Sequence, residues 1–161
     1  MLIPFYLSCL AQAHAKLGHL NDAWRRINEA MTELQTTKES WYEADIHRIA
    51  GEVALMSPEA DTAKVEPLFK HALAIGRAQQ AKSLELRAAM STAELWRDQG
   101  KRRQAHDLLA PVYDWFTEGF DTLDLKRAAQ PVVIMMVLML ASGWLGNVQD
   151  AYCPRRANQM N

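Results

Sequence analysis

Gly18-His19-Leu20-Asn21-Asp22-Ala23 decides the fold of this chain, because a second stretch, Gly100-Lys101-Arg102-Arg103-Gln104-Ala105, has the same pattern. In each, a glycine is followed five positions later by an alanine. Glycine is the residue that most often ends a helix, and a small residue lets the next helix pack closely. The recurrence therefore predicts helical hairpins that share one register.

Three copies of this hairpin register cover most of the chain. The spacings from Ala23 to Val65 and from Val65 to Ala105 are 42 and 40 residues, longer than the about 34 residues of a tetratricopeptide repeat. Only Val65 departs from a small residue at its position. The matching positions in the three copies are Ala11, Gly51 and Ala93, then Ala23, Val65 and Ala105, then Ile27, Phe69 and Leu109, then Ala30, Ala72 and Val112.

Apolar periodicity predicts three helix pairs followed by a shorter capping helix. Asn21 or Asp22 is expected to cap the second helix, and Ser40 with Glu43 has the spacing of a capping box at the third. The pairs are predicted at about residues 4–36, 40–80 and 83–118, with the capping helix at 121–130.

Two prolines modify this prediction. Pro67 is expected in the first turn of the fourth helix, whose regular part would then begin close to Glu66, because proline is tolerated there and disrupts a helix interior. Pro111 lies well inside the sixth helix and is expected to kink it or break it into two pieces.

The composition is that of a globular protein without a strong overall electrostatic field. Of the 161 residues, 49% are apolar, and the formal net charge is −1, which does not favour nucleic acid or an anionic membrane as partner. Cys9 and Cys153 form no disulfide or zinc pattern, and the first residues lack the features of a signal peptide. A cytoplasmic protein is predicted.

No recognisable set of reacting groups accompanies the repeats. The sequence contains no phosphate-binding loop, no His-Glu-x-x-His motif and no nucleophile elbow. The five histidines are interpreted as packing, turn or outer-face residues, and Asp121 and Asp124 as helix-capping carboxylates. The sequence thus predicts a non-enzymatic chain with no catalytic residue, metal site or cofactor.

Helix pairs with small residues at fixed hairpin positions resemble tetratricopeptide-type repeats. More narrowly, five segments resemble the C-terminal repeat region of large bacterial regulators, which join a class III adenylate/guanylate cyclase or a DNA-binding domain to a signal-transduction ATPase module. The resemblance implies a fragment without the ATPase and cyclase modules, so their activities are not carried over. The segments are Trp41–Glu52, Phe69–Ile75, Ser83–Ala89, Leu95–Gly100 and Leu108–Thr122.

The predicted fold is therefore all-α: a right-handed solenoid of three tetratricopeptide-like pairs plus a capping helix, over residues 1–130. In such a stack, the first helix of each pair lines a concave groove. The register places there Phe5, Ser8 and Gln12 from the first pair, Asp45, Arg48 and Glu52 from the second, and Arg87, Met90, Glu94 and Arg97 from the third.

Two other interpretations of this mixed-charge strip remain open. The side chains could neutralise one another, as Arg48 with Glu52 and Glu94 with Arg97 are spaced to do on a helix. The strip could also be an intramolecular surface against upstream domains of a longer protein.

Residues 131–161 depart from the repeat pattern. The run Val132–Leu145 is apolar and uncharged, but it is shorter than the roughly 20 residues that span a bilayer. Three interpretations are open: an abnormal terminus from a shifted reading frame or truncated gene, a marginal membrane anchor, or an oligomer-forming helix.

Together these observations predict a protein–protein interaction or regulatory module. Its partner would be another protein, or the upstream domains of its parent, and not nucleic acid. One alternative is a part of a nucleotide cyclase, acting in cAMP signalling, whose catalytic domains are absent here. The other is an adaptor attached to the membrane through Val132–Leu145.

Overall fold

The computed structural model describes residues 3–130, which form helices joined by turns and contain no strand. The all-α prediction is confirmed for this part of the chain, and the apolar run Val132–Leu145 lies outside it. None of the helices within residues 3–130 has the length and apolar character needed to cross a bilayer. The helices are α1 (Ile3–Lys16), α2 (Leu20–Thr37), α3 (Glu43–Leu55), α4 (Thr62–Ala78), α5 (Lys82–Asp98), α6 (Arg102–Asp114) and α7 (123–130).

Glycine ends the first helix of two pairs, as predicted. Gly18 and Gly100 have φ angles of +79° and +80°, a conformation that is costly for residues with a Cβ. After Gly18, the His19 N–H donates to the His14 carbonyl at 2.9 Å, and after Gly100 the Lys101 N–H donates in the same way to Trp96 at 2.8 Å. These bonds satisfy carbonyls that a helix end leaves open, so both turns are built alike.

The predicted cap of α2 is wrong. The helix begins at Leu20, directly after the turn, and its N-cap residue His19 makes no side-chain capping bond. After the glycine turn the backbone is already helical at Leu20, so neither Asn21 nor Asp22 occupies the N-cap position. Asp22 instead lies in the first turn, where its carboxylate is 2.8 Å from Arg25.

The predicted capping box at α3 is also wrong. The helix begins at Glu43 itself, and Tyr42 is an N-cap residue without a side-chain capping bond. Residues 41–42 form a turn, so Ser40 lies too far upstream to cap the helix. The Ser40 carbonyl accepts the Glu43 N–H at 3.1 Å within this turn.

The fourth helix begins earlier than predicted. Asp61 caps α4 by accepting the Ala63 N–H at 3.0 Å, and the helix starts at Thr62 rather than near Glu66. Pro67 consequently lies inside α4, where its missing N–H removes one backbone hydrogen bond. The cap explains the difference, because it extends the helix by a turn before the proline.

The sixth helix runs through Pro111 as one element. α6 continues from Arg102 to Asp114, so the alternative of two separate pieces is wrong. It ends short of the predicted boundary near residue 118, and residues 115–122 form turns up to α7. Gly119, with φ +77°, lies in this connection.

The helices pack in the order of the chain. α1 packs on α2, α3 on α4 and α5 on α6, and the turns also bring α2 against α3 and α4 against α5. The first helices touch in series, α1 against α3 and α3 against α5. Within residues 3–130, no comparable contact joins α2 to α4 or α4 to α6. One side of the molecule is therefore formed by α1, α3 and α5 together.

The repeat register coincides with the core. Phe69, the largest fully buried side chain among residues 3–130, packs with Val65 and Leu95, and a Cβ built on Gly51 would clash with its ring. α7 closes the far end of the core through Leu125 and Ala128. All twelve register positions are buried: Ala11, Gly51, Ala93, Ala23, Val65, Ala105, Ile27, Phe69, Leu109, Ala30, Ala72 and Val112.

Candidate functional site

A groove of about 510 Å³ runs along the side formed by α1, α3 and α5 and is bounded by α7. Four of its charged side chains are basic and four are acidic, so their formal charges cancel. The lining residues are Gln12, Lys16, Tyr42, Asp45, Arg48, Glu52, Leu55, Met56, Arg87, Met90, Ser91, Glu94, Asp124 and Arg127.

Seven of the ten residues that the register places in the groove line it. On α5 the exception is Arg97, whose guanidinium pairs with Asp98 at 2.9 Å and does not reach the lining. The predicted pairing of Glu94 with Arg97 is therefore replaced by a pair between sequence neighbours. The seven residues that meet are Gln12, Asp45, Arg48, Glu52, Arg87, Met90 and Glu94.

The two residues expected at the start of α1 lie outside the groove. Ser8 is buried and donates its hydroxyl hydrogen bond to the Phe5 carbonyl at 2.7 Å. The Phe5 ring lies 4.8 Å from that of Tyr42 and 6.5 Å from that of Trp41, measured between centroids. Phe5 thus belongs to an aromatic cluster at one end of the groove, which Tyr42 joins to the lining.

Ion pairs hold the floor of the groove. Arg48 is 9% exposed, and its guanidinium donates to Asp45 at 2.5 Å and also to Glu52. Burial alone would lower the pKa of Arg48, but the hydrogen bonds and charges of these two carboxylates outweigh it and raise the pKa. The guanidinium therefore remains charged. Ser91 of α5 donates to Glu52 at 3.2 Å, which connects this network to the third pair.

A second cation joins α3, α5 and α7. Arg87 donates to Asp124 at 2.7 Å and lies 3.7 Å from Asp45. Burial opposes its charge, but Asp124 and Asp45 raise the pKa of Arg87. Asp124 was predicted to cap a helix, and the structure shows it in contact with Arg87, which fastens α7 across the end of the groove.

Tyr42 closes the network from the side. Its phenol hydrogen-bonds to Asp45, and burial, followed by the charge and hydrogen bond of Asp45, raises the pKa of Tyr42 to about 12. The hydroxyl thus remains a donor at neutral pH. Asp45 is only 3% exposed and receives contacts from α3, α5 and the turn before α3.

Sequence reasoning missed seven of the lining residues. Lys16 lies at the end of α1, and Asp124 and Arg127 come from α7, which the repeat register does not describe. A signal was present, because Asp124 and Arg127 are spaced i, i+3 and so share one face of the predicted capping helix. The seven are Lys16, Tyr42, Leu55, Met56, Ser91, Asp124 and Arg127.

Three charges on the groove remain without an ion pair. Within residues 3–130, no ion-pair or hydrogen-bond partner reaches the side chains of Lys16, Glu94 or Arg127. Glu94 is exposed, yet the surrounding protein displaces enough water from its carboxylate to raise its pKa, while Arg97 and Arg127 act in the opposite direction. Two cations and one anion are therefore available to a ligand.

A separate cluster of potential metal ligands joins α3 and α4. Glu43, His47 and His71 each offer one ligand atom, and these atoms lie within 4.8 Å of one another. The two imidazole rings are perpendicular, with centroids 4.4 Å apart. His47 Nδ1 is buried without a hydrogen-bond partner. Burial, and then the proximity of His71, lower the pKa of His47 to about 4.

A second such group lies at the first hairpin turn. It consists of His14, His19 and Asp22, also with ligand atoms within 4.8 Å of one another. The rings of His14 and His19 are 6.2 Å apart, and the Asp22 carboxylate is already paired with Arg25.

His47 should make the protein sensitive to mild acid in a metal-free buffer. Its pKa of about 4 lies below the ordinary value of 6.5, so between these two pH values the unfolded chain binds more protons than the folded one. The contribution of His47 to the free energy of unfolding is therefore fully present above about pH 6.5 and is lost as the pH falls towards 4. We expect a loss of about 2 kcal/mol, allowing for partial exposure of the ring.

Urea unfolding at pH 7 and pH 5 measures this loss. His47→Asn should have a smaller loss over this interval than the unsubstituted chain, and His106→Asn should have the same loss. Equal acid sensitivity of the His47→Asn variant and the unsubstituted chain would show that another group is responsible.

The chain matches no protein-family model, and no curated protein is significantly similar to it in sequence. The groove is therefore interpreted from its own geometry. Its ion pairs fix the floor, and Lys16, Glu94 and Arg127 extend from it without partners among residues 3–130. Such a surface is suited to hold an extended segment that carries charges of both signs.

Proposed function

We propose that residues 3–130 form a tetratricopeptide-like repeat module that binds a protein segment in the groove of α1, α3 and α5. The order of helix contacts supports the repeat arrangement, because the first helices pack on one another in series while the second helices do not. The common construction of the turns at Gly18 and Gly100 supports it as well. Stacked helix pairs present their first helices as a binding surface.

The observation that carries the proposal is the set of charges without partners. Lys16 and Arg127 would pair with acidic residues of the bound segment, and Glu94 with a basic one. Leu55 and Met56, which are 37% and 48% exposed, offer apolar contact on the same lining. Charged groups set specificity in such interfaces, while apolar side chains supply much of the binding free energy.

Selection of linear peptides on the purified chain of 161 residues tests this function. We expect peptides that carry both acidic and basic residues. Their affinity should fall at least about tenfold in Glu94→Lys and in Arg127→Glu, because each substitution places like charges opposite each other. Isothermal titration calorimetry with the selected peptide measures the loss.

Two substitutions serve as matched controls. Lys126→Glu reverses a charge next to Arg127 on α7, and Glu59→Lys reverses an exposed glutamate in the α3–α4 connection, and neither position lines the groove. Both should leave the affinity unchanged. Failure to select a peptide, or equal effects of groove and control substitutions, would contradict the assignment of the groove.

The parent of this module is proposed to be a multidomain signalling protein with an ATPase and a cyclase module. The five resembling segments support this proposal, and an upstream domain of that parent is then one candidate occupant of the groove. Genomic sequence upstream of Met1 tests it. In-frame phosphate-loop and cyclase motifs are expected, and an unrelated upstream reading frame would oppose it.

A further inference from the structure

Two imidazoles and one carboxylate converge on the side of α3 that faces away from the groove. Glu43 and His47 are one helical turn apart on α3, and by helical periodicity they lie opposite Arg48 and Glu52. His71 reaches them from α4. Neither the repeat register nor the proposed binding function requires these three residues to meet.

The three side chains have no other polar partners within residues 3–130. No ion pair or hydrogen bond engages the Glu43 carboxylate or the His71 ring there, and His47 Nδ1 is buried without a hydrogen bond. Buried polar atoms are usually satisfied, so an orphaned imidazole nitrogen requires an explanation. A bound cation would provide one, because neutral imidazole and carboxylate are its natural ligands.

The geometry is close to that of a coordination sphere. Ligand atoms about 2.1 Å from a tetrahedral Zn²⁺ lie about 3.4 Å from one another, and here the three atoms lie within 4.8 Å. The remaining distance is small, and His71 is exposed, so its ring can rotate towards the other two. Glu43 and His47 keep their spacing because they share one helix.

We infer that Glu43, His47 and His71 form a binding site for a divalent transition-metal ion of the Zn²⁺ type, held between α3 and α4. Two nitrogen donors and one oxygen donor favour Zn²⁺ over Ca²⁺ or Mg²⁺, which prefer oxygen alone. Three protein ligands leave one coordination position for water or another group. The ion would cross-link the middle helix pair, whose turn has no glycine.

The cluster at the first hairpin is the weaker candidate. Its Asp22 carboxylate is already neutralised by Arg25 at 2.8 Å, and its two rings are farther apart than those of His47 and His71. Its ligand His19 belongs to the turn rather than to a second helix. The site between α3 and α4 is therefore expected to bind the ion first.

Titration of the untagged chain of 161 residues with Zn²⁺ tests the inference, with the thiols alkylated and previous metal removed by chelator. We expect one ion per chain by calorimetry, and visible d–d absorption of four-coordinate Co²⁺ when that ion is used instead. His71→Asn should weaken Zn²⁺ binding at least about tenfold, since losing a direct ligand should cost no less than losing a supporting one. Because His71 is exposed, the variant should remain folded.

Glu43→Gln provides a second variant that keeps the shape of the side chain, and it should also weaken binding. His106→Asn is the control and should bind as the unsubstituted chain does. His19→Asn separates the two clusters: unchanged affinity supports the site between α3 and α4. Absence of Zn²⁺ binding, or loss of binding in His19→Asn but not in His71→Asn, would overturn the inference.

Discussion

Replacing Asp45 by alanine is expected to lower the free energy of unfolding by about 3–5 kcal/mol. Asp45 is 3% exposed and lies 2.5 Å from Arg48 and 3.7 Å from Arg87, and it accepts a hydrogen bond from Tyr42. Its removal leaves the buried Arg48 with Glu52 as its one remaining ion-pair partner among residues 3–130. An incompletely compensated charge in a buried position is the reason for the large loss.

A second Asp–Arg pair provides a matched control. Asp22 and Arg25 have the same i, i+3 spacing as Asp45 and Arg48, but both side chains are exposed. Asp22→Ala should therefore cost less than about 1 kcal/mol, because water screens an exposed pair. Urea unfolding of Asp45→Ala and Asp22→Ala compares a buried with an exposed ion pair of the same sequence spacing. Similar losses would contradict the view that Asp45 holds the groove floor.

Asp45→Asn separates the charge from the shape. Asparagine fills nearly the same volume but cannot neutralise Arg48. We therefore expect Asp45→Asn to restore only a small part of the stability that Asp45→Ala loses. If the asparagine variant were as stable as the unsubstituted protein, the contribution of Asp45 would come from packing and hydrogen bonding rather than from its charge.

Phe69→Ala is expected to destabilise the fold by about 3–5 kcal/mol, the usual cost of emptying a buried aromatic site. Phe69 is fully buried between α3 and α5, where it packs with Val65 and Leu95. Thermal or urea unfolding measures the loss. Leu17→Ala is the control, because Leu17 is 70% exposed and its removal should have little effect. A loss below about 1 kcal/mol would contradict a core role for the ring.

Gly51 lies against Phe69, and Gly51→Ala is expected to have opposite effects on stability with and without the Phe69 ring. A Cβ on Gly51 would clash with the Phe69 ring, so Gly51→Ala should destabilise the unsubstituted protein through overpacking. In the Phe69→Ala background the same change should stabilise α3 by up to about 1 kcal/mol, because alanine favours helix over glycine. A double-mutant cycle measures the coupling. Additive effects would show that the two positions do not share space.

The size match between these positions was visible in the register. The first and third copies combine an alanine with Ile27 or Leu109, whereas the middle copy combines Gly51 with the larger Phe69. The sequence therefore allowed the core positions to be predicted, because burial at a helix–helix contact restricts side-chain volume at regular intervals. The glycine turns were equally predictable, since a left-handed residue excludes most side chains.

The helix boundaries were less predictable. Asn21 and Ser40 are good capping residues, yet neither caps a helix here, because the preceding turns bring the chain into helical geometry at a different residue. Asp61 does cap α4 and thereby places Pro67 inside the helix. Capping preference describes what a residue can do, while the path of the turn determines whether it lies at the helix start.

For the groove, the register was enough to select most residues on α3 and α5, because these helices repeat one packing face and turn the opposite face towards the groove. The prediction for Arg97 was wrong, because its guanidinium pairs with its neighbour Asp98 and does not line the groove. Lys16, Asp124 and Arg127 were missed because their place depends on how the last turn of α1 and the start of α7 pack against the stack.

The periodic pattern along the chain was sufficient to determine the all-α class, the hairpin register and most of the core, since these depend on contacts between residues close in sequence. The groove floor and the histidine cluster required the packed structure. Arg87 contacts Asp45 and Asp124, and His47 contacts His71, between different helices. A local sequence pattern does not show which helices lie next to each other. The physical reason is that local spacing defines which face a side chain occupies, whereas helix packing defines what lies opposite that face.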